Sequence, residues 1–120
     1  MIGLMVKILI IEPHPEVRDL LVRIVARLGL EPVTYRGAGA HDLAEIGVVL
    51  VEPAALNGIE VARLARQKAG AATVCVSIYP PSDETRALDP VAYLVKPFSL
   101  VELERALLAA LDSRLPVAAA

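Results

Sequence analysis

Aromatic residues are almost missing from this chain: 120 residues hold no tryptophan, one phenylalanine and three tyrosines. A core of ordinary density must then be assembled from Leu, Val, Ile and Ala, and a hydrophobic content of 56% supplies them. A single cysteine, Cys75, excludes a disulfide framework, and no Cys/His spacing suits a structural metal. Cys75 lies inside the apolar run 73–78 and reads as a small buried hydrophobe. No apolar run is long enough to span a bilayer; the first, over residues 1–11, is broken by Lys7 and carries no signal-peptide pattern. A cytoplasmic protein without membrane contact is expected. Nor is there a block of one charge. The formal net charge is −2 and nine of the twelve cations are arginines scattered along the chain, which argues against direct nucleic-acid binding.

What is present is an alternation of strands and helices. Residues 6–11 form a continuous apolar run after Lys7, the pattern of a strand buried on both faces. Pro15 suits a first helical turn, with Val17, Leu20, Leu21, Ile24 and Leu28 at helical spacing and Gly29 closing the helix. A short strand is expected over 32–35, a brief helix at most over 40–46, and a buried strand over 48–51. The helix predicted over 58–68 turns Ile59, Ala62 and Ala65 inward. A third apolar strand, 73–78, is stopped by Pro80 and Pro81. A short helix over 82–88 carries Asp83 and Glu84 in its first turn, and the last strand covers 91–95. Ser99 and Glu102 are spaced as a capping box for a final helix to about Leu111, burying Leu103, Ala106, Leu107 and Ala110. The expected fold is α/β, a flavodoxin-like, doubly wound, five-stranded parallel sheet with helices on both faces. One domain is expected over 1–113, with 114–120 a frayed tail or linker stub and residues 1–4 a frayed extension.

In such a sheet the carboxyl ends of the strands line one crevice. Glu12, Glu52, Ser77 and Lys96 each stand at a strand end, so acid, acid, hydroxyl and lysine are expected to converge there. The residues that carry these ends also form a family pattern. Tyr93-Leu94-Val95-Lys96-Pro97-Phe98 before a helix, residues 7–18, and Val48 to Glu52 followed by Asn57-Gly58-Ile59-Glu60-Val61 together resemble the receiver domain of bacterial two-component response regulators. The resemblance covers about residues 7–111.

The resemblance implies a phosphoryl-accepting switch. An aspartate ending the third strand takes the phosphoryl group, acids ending the first strand help hold Mg²⁺, the lysine binds the phosphoryl oxygens, a Ser/Thr hydroxyl bonds the new group, and a strand-five aromatic rotates inward. By position Lys96 is the lysine, Ser77 the hydroxyl and Tyr93 the aromatic. Two positions depart from the pattern: Glu52 stands at the acceptor position, and Pro13 follows the one remaining acid, Glu12. The extra methylene of Glu52 takes its carboxylate off the in-line geometry, and Pro13 offers no side-chain oxygen to a metal that demands near-octahedral ligands. No cofactor or metal is therefore expected. Lys96 is expected to pair most simply with Glu52, or with Glu12. His14 tempts a transition-metal reading with Glu12 and Glu52, but flanking prolines favour a solvated or capping histidine. His41 reads as an exposed loop residue.

The function expected is that of a pseudo-receiver: a non-enzymatic signal-transduction module acting through protein–protein contact, as a homodimer or with a partner, using Tyr93 and residues 100–111 of the last strand and helix. Two alternatives stand beside it: a receiver that still accepts a phosphoryl group, and the amino-terminal domain of a longer regulator with an output domain such as a DNA-binding one.

Overall fold

A computed structural model describes residues 5–37 and 39–114. The expectations for residues 1–4 and 115–120 lie outside that range. The elements run β1 (Lys7–Ile11), α1 (Pro15–Arg27), β2 (Glu31–Thr34), a single 3₁₀ turn (Leu43–Glu45), β3 (Ile46–Val51), α2 (Gly58–Ala69), β4 (Ala72–Ser77), α3 (Asp83–Ala87), β5 (Ala92–Val95) and α4 (Leu100–Ser113). All strand pairings are parallel, in the order β2-β1-β3-β4-β5. The doubly wound sheet is as the alternation of elements predicted. Among the described residues no helix is long and apolar enough to cross a membrane.

Side-chain alternation along the central strands divides the core in two. Ile8, Ile10, Val48, Leu50, Val74 and Val76 face α1 and α4, where Leu21, Ile24, Val25, Leu103 and Leu107 meet them. Leu9, Ile11, Val49, Val51 and Cys75 face the other way, onto Val61, Ala62, Ala65, Ala71 and Leu88. One layer is rich in Leu and Ile; the opposite one is built of smaller side chains and carries the five-residue α3.

Three local expectations change. Residues 40–46 do not form a helix: Asp42 caps one 3₁₀ turn by accepting from the Ala44 N–H at 3.0 Å, and Ile46 already belongs to β3, opposite Lys7 of β1. Tertiary pairing with β1 outweighs the weak helical pattern there. In α2 the buried residues are Val61, Ala62 and Ala65, with Ile59 only half-buried, because Gly58 starts the helix and sets its phase. In α1, Leu20 is exposed and Val25 is buried in its stead, while Leu21 and Ile24 stay inward as expected. The inward face of α4 is the predicted set.

The two sheet edges differ. Glu31, which opens β2, and Tyr35, just past its end, donate their N–H groups inward, to the Val6 and Ile10 carbonyls. Pro32 then falls at an outward position, where a missing N–H costs no ladder bond. No proline interrupts β5 between Ala92 and Val95.

Candidate functional site

The crevice is built by the ladder itself. Ile11 and Val51 are register partners, and the Glu52 N–H extends the pairing to the Ile11 carbonyl at 2.8 Å. Glu12 and Glu52 therefore emerge side by side, just beyond the ends of β1 and β3. On the far side Val95 pairs with Ser77, and the Lys96 N–H donates to the Ser77 carbonyl at 2.8 Å. From β5 to β1 is three strand spacings, roughly 14 Å. Only long side chains from both ends close that distance, so the extra methylene of glutamate has a use here.

They do close it. Lys96 Nζ donates to Glu12 Oε1 at 2.7 Å and to Glu52 Oε1 at 3.4 Å. Both predicted partners are engaged, and the shorter bond goes to the farther strand. The second carboxylate oxygens are also occupied: Glu12 Oε2 accepts from the His14 N–H at 3.1 Å and Glu52 Oε2 from the Ala54 N–H at 3.3 Å. Glu12 is 5% exposed and Glu52 6% exposed, so these are buried charges held by charge-assisted bonds. A Cβ on Gly58 would stand 3.0 Å from Val51 Cγ2 and 3.1 Å from the Glu52 carbonyl oxygen, so glycine is what lets α2 begin this close to the crevice.

The donor set does not fit the magnesium ion that the fold implies. Each carboxylate oxygen already has a protein partner, Lys96 places an ammonium group between the acids, and Pro13 adds no side-chain oxygen. Among the described residues no group of three or more His, Cys, Asp or Glu side chains is arranged to hold a metal. His14 is the exposed N-cap residue of α1, where its backbone, not its imidazole, takes part.

Ser77 and Tyr93 both bond the backbone of Tyr79. Ser77 Oγ accepts from the Tyr79 N–H at 3.1 Å, and Tyr93 Oη donates to the Tyr79 carbonyl at 2.7 Å. Tyr93 is half-buried, while Ile78 and Tyr79 project outward, 61% and 58% exposed. Replacing Tyr93 by phenylalanine removes the carbonyl bond alone. We expect a loss of about 0.5–1.5 kcal/mol in urea unfolding, with faster amide exchange in the β4–α3 loop.

Sequence reading missed the role of His41. It is half-buried, its ring stacks on Tyr35 with centroids 5.6 Å apart, and its Nε2 accepts the Arg36 N–H at 2.8 Å. The aromatic six residues upstream was the available signal. Cys75, fully buried in β4, behaves as read. Burial first, and the Glu52 charge second, push its thiol up from 9.0 to about 11. Thiol reagents at pH 8 are expected to label Cys75 only at the rate of unfolding. Since the folded thiol holds its proton to higher pH than the unfolded one, its contribution to stability is complete below about 9 and is lost as pH rises through about 11.

No protein-family model and no curated protein matches the sequence. Solved structures do. A CheY-like response regulator receiver domain protein from Methanospirillum hungatei JF-1 superposes with a TM-score of 0.78 over 92% of this chain and 97% of that one, at 19% identity. The receiver domain of a modulated diguanylate cyclase from Desulfovibrio desulfuricans G20 gives 0.74 over 92% and 96%, at 18% identity. The response regulator TrrA from Thermotoga maritima, solved in complex with Mg²⁺-BeF, gives 0.65 over 86% and 96%, at 25% identity. The fold is that of a CheY-like receiver, a five-stranded parallel α/β sheet flanked by helices.

Proposed function

We propose that this chain is a receiver-like signalling module that works by protein–protein contact and does not depend on phosphorylation. One observation carries the reading: Lys96 is closed over Glu12 and Glu52, in the crevice where the family resemblance places phosphoryl transfer. The ammonium group and two buried carboxylates occupy the place where a phosphoryl group and its metal would gather charge. Glu52, at the position that resembles the acceptor, spends both oxygens on Lys96 and Ala54. Tyr93, the aromatic that the resemblance implies turns inward on switching, is already bonded to the Tyr79 carbonyl. That supports a standing switched conformation. The working surface is β5 and α4, where Val95, Leu100, Val101 and Leu108 are exposed, and a second copy or a protein partner docks there.

The test is intact mass after incubation with acetyl phosphate and Mg²⁺, with Glu52→Asp run in parallel. No phosphoryl adduct is expected on the native chain. An adduct there would overturn the reading and restore a phosphorelay role. An adduct on Glu52→Asp alone would show that the glutamate silences a competent crevice.

A further inference from the structure

Each crevice acid is followed by proline: Glu12-Pro13-His14 at the end of β1 and Glu52-Pro53-Ala54 at the end of β3. The two tripeptides do the same thing. In each, one carboxylate oxygen accepts the N–H of the residue two positions on, at 3.1 Å and 3.3 Å, and the other oxygen faces Lys96 Nζ. The backbones around them differ. After β3, the Ala55 N–H closes a turn onto the Glu52 carbonyl at 2.9 Å, with Pro53 at the turn position that proline presets. After β1 the equivalent backbone bond cannot form, because Pro15 stands where its donor would be. What the two sites share is therefore the proline and the carboxylate bond.

We propose that Pro13 and Pro53 are positioning residues of the crevice. With φ fixed near −65°, each proline aims the following N–H back at its own glutamate. Each carboxylate is thereby left with one oxygen for Lys96 and none for a divalent cation. The two Glu-Pro segments make the crevice select an internal ammonium group over a metal. The inference rests on the crevice being closed as described above and adds which residues close it.

The test uses the full chain with Pro13→Ala, Pro53→Ala and the double variant. The readouts are amide exchange at His14 and Ala54, acylation of Lys96 relative to Lys7 and Lys68 by an amine-reactive ester, and Mg²⁺-induced shifts of the His14 and Ala54 amide resonances. In the double variant we expect amide protection at those two positions to fall about tenfold and Lys96 to acylate several-fold faster, with Mg²⁺ shifts that the native chain lacks. Val49 and Leu50 amides, in the middle of β3, report whether the fold survives. Each single variant should loosen only its own carboxylate–amide bond. Native protection, Lys96 reactivity and Mg²⁺ silence in the double variant would overturn the proposal. So would a loss shared equally by Val49 and Leu50 in every variant, which would make the prolines merely structural. Phosphorylation of the native chain would instead defeat the proposed function and leave these results untouched.

Discussion

Lys96→Met is expected to destabilise the fold by about 3–5 kcal/mol, because removing one member of a buried ion cluster leaves the others uncompensated. Two carboxylates, each more than nine-tenths buried, would keep only one backbone N–H apiece. Methionine has nearly the length of lysine, so the loss would report charge rather than a cavity. Urea unfolding of the variant beside the native chain gives the number. A loss below about 1 kcal/mol would mean that the cluster is no stronger than an exposed surface pair. The triple replacement of Lys96, Glu12 and Glu52 by apolar residues of similar volume should recover most of the loss, since no buried charge then remains.

The second large effect is expected in α4. Leu107 is fully buried against the Leu/Ile-rich layer of the core. Leu107→Ala should cost about 2.7–5 kcal/mol by the combined loss of transfer energy and the cavity left behind. Its neighbour Leu108 points the other way and is 57% exposed. Leu108→Asp should change stability by less than about 0.5 kcal/mol, as surface substitutions do, yet abolish association through α4. Analytical ultracentrifugation and partner pull-down against thermal melts separate the two. A Leu108→Asp chain with native stability and native association would remove α4 from the working surface.

The sequence made β1, β3 and β4 legible because a strand buried on both faces is apolar nearly throughout, and each of these short runs is β-branched-rich and ends at a polar residue. The inner face of α4 was legible for a related reason: its four buried residues repeat at helical spacing behind a serine cap. Where tertiary pairing decides, the local pattern misled. Ile46 reads equally well as a helix end and a strand start, and only its register partner Lys7 resolves it. Residues of the crevice could be named from strand ends, but not their bonds. That Lys96 reaches Glu12 more closely than Glu52, or that each acid turns back on its own chain, depends on side-chain rotation that spacing does not encode. Tyr79 was legible only as part of the strand's end, since it contributes its backbone N–H and carbonyl rather than its side chain.

Pro32 has a consequence for how copies of this chain can polymerise. A fibre grown strand against strand needs two open edges on every molecule, one to accept the last arrival and one to receive the next. Here the β2 edge lacks an outward donor at Pro32, while β5 contains no proline. A pair joined along β5 would show only proline-interrupted borders to a third molecule. Growth by sheet extension is therefore expected to stop at two.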